Sequence, residues 1–219
     1  MYHAIISDFH LNPFKVEIQK LNFIKQVYSN PKIKRVTFNG DVWEGFGFKN
    51  PGAPRFSSFY QTWYLPFLKD LSKKIPTDFI PGNHDSWVWW DSTHIPFVKK
   101  LELTYGKQKF HITHGHQYAL KQADGNISSA LQDLPLLTVY HIAPWFINGT
   151  FGRYYNQKAK QVQKQTHSKS TALIIGHTHF FEIDDKNLFY NSGSNTMVGP
   201  HGLAIDTKTG KVLPLSSIL

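Results

Sequence analysis

The chain has 219 residues with 24 Lys and Arg against 15 Asp and Glu, a net charge of +9, and no cysteine. That length suits one α/β domain spanning residues 1–219, and the missing thiols exclude disulfides, thiolate metal ligands and a cysteine nucleophile, so any metal must sit on His, Asp, Glu or Asn. A basic surface attracts anions such as nucleotides, nucleic acid, phosphorylated substrates or acidic headgroups, without choosing among them.

In chain order, short apolar runs rich in β-branched or aromatic residues predict strands. Tyr2–Ser7 comes first; with no basic leader or cleavage site around it, a cytoplasmic location is expected. A helix follows over Val16–Tyr28, with Leu21, Ile24, Val27 and Tyr28 on one face, then a strand over Arg35–Asn39. Phe59, Trp63, Phe67 and Leu71 mark a helix over Phe56–Leu71, which Pro66 should kink. Strands are expected at Asp78–Pro81 and Lys109–Thr113, and the run Trp87, Trp89 and Trp90 between them reads either as cleft lining or as core packing.

Residues 117–170 carry few strand signals and read as a helical insert or cap within the domain. Its apolar part, Leu134–Phe151, includes the longest apolar stretch, which is too short for the ~20 residues that span a bilayer. The basic part holds Arg153, Lys158, Lys160, Lys164 and Lys169. An apolar face beside basic residues is also the pattern for peripheral contact with a membrane. Strands at Ala172–Ile175 and Leu188–Asn191 and a hairpin over Leu203–Leu215 complete an α/β layered domain closed by antiparallel strands.

The polar residues of interest follow these runs. Asp8 and His10 come after the first strand, Gly40-Asp41 after the second, and Gly82-Asn83-His84-Asp85 after the third. His114-Gly115-His116 and Gly176-His177-Thr178-His179 follow the next two. Loops beyond the carboxyl ends of strands converge on one crevice in layered α/β folds, so five segments can build one site. Imidazoles, carboxylates and a carboxamide suit a pair of first-row divalent ions, and two such ions activate water for attack on a phosphate. His116 reads as a substrate contact, a support beside the metals or a turn residue. Asp85 reads as a hydrogen-bond partner to the site or as a helix cap. His3, His94, His141, His167 and His201 have no motif support and read as packing or solvent residues.

The ordered set Asp-x-His, Gly-Asp, Gly-Asn-His-Asp, His and Gly-His-x-His, spanning residues 8–179, resembles the calcineurin-like metallophosphoesterases. The resemblance implies a β-sandwich flanked by helices. It also implies one metal on Asp8, His10 and His179, a bridging Asp41, and a second metal on Asn83, His114 and His177. His84 would contact the phosphate and protonate the leaving oxygen, with Glu44 orienting it. Manganese is the expected metal, with iron, zinc, nickel or cobalt as alternatives. Size, the Gly-Asp-x-x-Glu block and the insert are similar to the UDP-2,3-diacylglucosamine pyrophosphohydrolase group. The chain departs from the enterobacterial members at His84, where they carry Arg, and at His116, where they carry Asp. A phosphodiester or pyrophosphate hydrolase acting on a phosphorylated small molecule or lipid-linked substrate is therefore expected. A phosphomonoesterase or phosphoprotein phosphatase comes second, then a nuclease, for which no nucleic-acid motif is present, then a scaffold such as the related retromer subunit.

Overall fold

Ten strands form two mixed sheets in the computed structural model, which describes residues 1–12, 16–44, 60–85, 97–120, 149, 152–166, 168, 170–195 and 201–219. The first sheet holds β1 (Tyr2–Ile6), β2 (Ile33–Asn39), β3 (Thr77–Ile80), β9 (Leu203–Asp206) and β10 (Val212–Pro214), in the order β10-β9-β1-β2-β3. The second holds β4 (Leu101–Tyr105), β5 (Gln108–Ile112), β6 (Thr171–Ile175), β7 (Glu182–Asp184) and β8 (Phe189–Asn191), in the order β4-β5-β6-β8-β7. Strands β1, β2 and β3 run parallel, as do β5, β6 and β8, while β9, β10, β4 and β7 pair antiparallel at the flanks.

The helices are α1 (Ile18–Ser29), α2 (Leu65–Ser72), α3 (His116–Leu120) and α4 (Gly152–Thr166). Because side chains alternate along a strand, each sheet has two apolar faces and needs covering on both. Ala4 and Ile6 of β1 pack with Phe38, Phe79 and the buried face of α1, Phe23, Ile24 and Val27. Ile5, between them, faces the other way, joining Ile80, Leu203 and Ile205 against Phe110, Ile112, Ala172 and Ile174 of the second sheet. Leu173 and Ile175 alternate with those last residues and meet Ala159 and Val162 of α4. The result is two stacked sheets with a helical layer on each outer face, the expected α/β sandwich.

Two strands have no counterpart in the sequence reading. β4 pairs with β5 through a tight turn in which Gly106 adopts φ +58; the alternating Leu101, Leu103 and Tyr105 carry its signal. β7 is only three residues long and half-buried throughout, too short for a period to register. Pro66 sits in the first turn of α2, just after a π-helical turn over Tyr60–Tyr64. Its missing N–H costs nothing at a helix start, so the expected mid-helix kink is instead a change of helical register. The start of the predicted Phe56–Leu71 helix, the Trp87, Trp89 and Trp90 run and most of 117–170 lie outside the described residues. The described parts of 117–170 are mainly helical.

Candidate metal centre

The parallel arrangement sends the loops after β1, β2, β3, β5 and β6 out at the carboxyl ends of their strands, and they meet. The pairing of β1 with β2 continues past both strands: Asp8 N–H donates to Gly40 O (3.0 Å), His10 N–H to Asp41 O (2.9 Å) and Leu11 N–H to Val42 O (2.8 Å). This sets Asp8 and His10 alongside Asp41. Three groups of residues then offer donor atoms within 4.8 Å of one another: Asp8, His10 and His179; His10, Asp41 and His84; and Asp41, His114 and His177. Asp41 belongs to two of them. Asn83 contributes a buried Oδ1 that accepts no hydrogen bond.

Backbone conformation is unusual here. Six non-glycine residues among those described have positive φ, and five are Asp8 (54°), His10 (45°), Asp41 (51°), His177 (65°) and His179 (59°). Each such residue costs about 1–2 kcal/mol for an L-amino acid and persists only where its surroundings dictate it. Three glycines provide part of those surroundings. A Cβ on Gly40 would run into the His114 ring, one on Gly82 into Asp41, and one on Gly176 into the Asp8 carboxylate. Only Gly40 of the three has positive φ (+86), so Gly82 and Gly176 are required for close approach between loops.

Individual contacts set orientation and tautomer. His114 Nδ1–H donates to Asn39 O (2.7 Å), which turns Nε2 into the site, 3.1 Å from Asp41 Oδ2 and without a hydrogen-bond partner. His10 Nε2 and His179 Nε2 face each other at 3.2 Å. With metal–nitrogen distances of about 2.0–2.1 Å, two nitrogens on one ion stand about 3.0–3.4 Å apart. Asp8 accepts the His177 backbone N–H (3.1 Å) and lies 3.3 Å from His179 Nε2. The donor types, the bare Asn83 Oδ1 and His114 Nε2, and these spacings fit a pair of divalent ions.

Glu44 has a wider role than expected. Its Oε1 takes the Nδ1–H of His84 and its Oε2 that of His10, both at 2.9 Å, so one carboxylate orients both a candidate ligand and the candidate proton donor. Asp85 also has a clear structural role. It is fully buried, and its carboxylate accepts the backbone N–H of Asp41 (2.6 Å), Gly82 (2.8 Å) and Trp43 (3.0 Å). It staples the β2 loop to the β3 loop, and it does so as a hydrogen-bond partner to the site rather than as a helix cap. His116 faces the second cluster, its ring 5.6 Å from that of His114 and 6.2 Å from that of His177, with Nδ1 buried and unbonded. His201 stacks on Phe181 and donates to Ser194 O. His3 is buried near the start of β1, at the opposite end of that strand from the site, and His94, His141 and His167 lie outside the described residues.

Electrostatics divide the cluster. Burial alone would raise the Asp41 carboxyl, but the His114, His84 and His10 imidazoles hold it well below the usual range. Burial would likewise lower His84 and His114, yet Asp41 and its neighbours push them up to about 9 and about 10. His177 goes the other way, down to about 3, through burial and then the His114 charge. Such opposed shifts in one cluster mark a functional site. The carboxylate field that draws protons onto His114 is one that a divalent cation would neutralise.

One residue of the basic part of 117–170, Lys160, does not face solvent. It is buried on α4 and paired with Glu182 (2.5 Å) and Asp184 (2.6 Å) of β7. One of the charges counted toward anion binding is therefore spent on packing.

The family model described as a calcineurin-like phosphoesterase superfamily domain matches residues 1–209. Among solved structures, YfcE, a phosphoesterase from E. coli, is 16% identical over 100% of both chains with a TM-score of 0.52. A single mutant of Vps29 from Entamoeba histolytica is 17% identical, covering 98% of this chain and 90% of that one, with a TM-score of 0.50. At such identities the likeness is one of fold. The sequence matches no curated protein.

Proposed function

The chain belongs to the calcineurin-like phosphoesterase superfamily and is a metal-dependent hydrolase, and from that premise we propose that it cleaves a phosphodiester or pyrophosphate bond using two divalent ions, manganese first among them. Asp8, His10 and His179 would hold one ion, Asn83, His114 and His177 the other, and Asp41 both. When bound, the ions supply Lewis acidity toward phosphate oxygens and an activated water at neutral pH.

The chain's own residues divide the remaining work. His84, held by Glu44, whose carboxylate favours its protonated form, gives a proton to the departing oxygen. Glu44, by gripping His10 as well, fixes that proton donor relative to one ion. Asn83 and His116 are assigned to the substrate. The observation that carries this reading is the shared carboxylate: a proton donor tied rigidly to a metal ligand is of use when protonation and metal-assisted attack act on one phosphorus.

A nucleotide-linked or lipid-linked pyrophosphate such as UDP-2,3-diacylglucosamine rests on the sequence resemblance alone, and a cytoplasmic location and membrane contact through 117–170 on the sequence pattern. Among the described residues no helix is long and apolar enough to cross a membrane. The test compares hydrolysis of bis(p-nitrophenyl) phosphate and p-nitrophenyl phosphate by chelator-treated protein, with and without manganese. Metal-dependent turnover favouring the diester is expected, and preference for the monoester would move the reading to a phosphomonoesterase.

A further inference from the structure

Helix α4 packs against the second sheet with a stripe of small and polar residues. Gly152, Asn156, Ala159, Lys160, Val162 and Gln163 are its buried positions, where an amphipathic helix normally places aliphatic side chains. Asn156 is wholly buried and its carboxamide is fully used. Its Oδ1 accepts from Thr178 Oγ1 (2.8 Å) and Asn191 Nδ2 (2.9 Å). Its Nδ2 donates to Phe180 O (3.2 Å) and Glu182 Oε2 (2.8 Å). Asn191 Nδ2 reaches on to Gly176 O (3.1 Å) and Thr178 Oγ1 (2.8 Å). Gly152 lets the helix start against this segment, since a Cβ there would meet Phe180 Cβ at 2.6 Å and Thr178 O at 2.8 Å.

The gripped residues Gly176, Thr178 and Phe180 alternate with His177 and His179. Both histidines have the positive φ that an L-residue holds only under constraint. On the reading above that these two are metal ligands, we infer that Asn156 is a positioning residue for the metal centre: by holding Gly176–Phe180 it presents both histidines and sets metal affinity. Buried partners of this kind, one step removed from the ligands, are worth about 10–100-fold in metal affinity.

The matched comparison lies on the same helix. Gln163, two turns on and also buried, donates to Thr171 O and Leu188 O, both at 3.1 Å, and docks α4 through these bonds rather than through Gly176–Phe180. Chelator-treated wild type, Asn156→Ala, Gln163→Ala and Thr178→Val would each be titrated with Mn2+, with free ion read by electron paramagnetic resonance, and melted without metal. Asn156→Ala and Thr178→Val should bind Mn2+ about 10–100-fold more weakly. Gln163→Ala should lose a comparable amount of thermal stability and keep wild-type affinity. Wild-type affinity in Asn156→Ala, or equal losses of affinity in Asn156→Ala and Gln163→Ala, would overturn the inference. If Asn156→Ala fails to fold, the near-isosteric Thr178→Val decides by the same criterion. A wild-type chain that takes up no Mn2+ overturns the two-ion reading itself, and this inference with it.

Discussion

Buried histidines lie both at the start of β1 and beyond the carboxyl ends of the strands, and the two places treat them differently. At the start of β1, His3 is fully buried between the sheets with both ring nitrogens engaged, Nε2 on Thr37 Oγ1 (2.8 Å) and Nδ1 on Tyr105 OH (3.2 Å). The nearest charges there are already matched, Arg35 forking onto Asp78 at 2.6 and 3.0 Å. Burial and then the Arg35 charge push His3 down to about 3, so it stays neutral. At the other end, imidazoles face carboxylates and one another, His114 Nε2 and Asn83 Oδ1 lack hydrogen-bond partners, and His84 and His114 are pushed up. Burial is common to both ends. What separates a packed histidine from a candidate ligand is whether its lone pair is already satisfied by protein and whether unneutralised carboxylates stand beside it.

The sharpest way to break that contrast is to neutralise the carboxylate shared by two of the donor groups. Asp41→Asn should empty the site and lower turnover about a thousandfold, equivalent to about 4 kcal/mol of transition-state stabilisation; metal analysis and kcat/KM check this together. His84→Ala should retain both ions yet lose about a hundredfold or more in kcat on a diester with a poor leaving group. It should lose much less with p-nitrophenolate, which departs without a proton. Full activity on the poor leaving group would remove His84 from the reaction.

Metal uptake should also expel protons. His114 is pushed up to about 10, so near neutral pH an ion must displace its proton, and affinity should climb by up to tenfold per pH unit as pH rises toward 10. Calorimetry in buffers of different ionisation enthalpy measures the protons released. The smallest expected effect is at the opposite end. His3 falls to about 3 when folded against about 6.5 when unfolded. Between those values the unfolded chain binds a proton that the folded chain does not. Its contribution to stability is therefore complete above pH 6.5 and is lost as pH falls, by up to about 1.4 kcal/mol per unit. Urea melts of wild type and His3→Gln at pH 7 and pH 5 should show the steeper acid loss in wild type, with unchanged metal content in both. Equal slopes would mean that His3 does not titrate in this way.

Much of this molecule was legible because its chemistry lies where its strands stop. Asp8, Asp41, Asn83, His114 and His177 each follow an apolar run closely, and the β-branched and aromatic content of such runs identifies them without knowledge of their neighbours. What escaped depends on contacts between distant segments. Asp85 looks like any turn aspartate until the β2 loop brings the N–H groups of Asp41 and Trp43 to it. Glu44 reads as a partner of His84 alone, since nothing in the spacing shows that its second oxygen reaches His10. Helix α4 gave the most misleading signal: Asn156, Lys160 and Gln163 are buried, yet a reading that seeks apolar stripes assigns such residues to solvent. The pattern legible in hindsight is the spacing Gly152, Asn156, Ala159, Gln163, a regular helical stripe whose members are small or carry amides.

The most direct test is to load chelator-treated protein with Mn2+ and record its electron paramagnetic resonance spectrum alongside metal analysis. Two ions per chain, exchange-coupled in wild type and lost in Asp41→Asn, are the predicted result. Two magnetically isolated ions, or a single ion unaffected by Asp41→Asn, would contradict a shared carboxylate at the centre of the site.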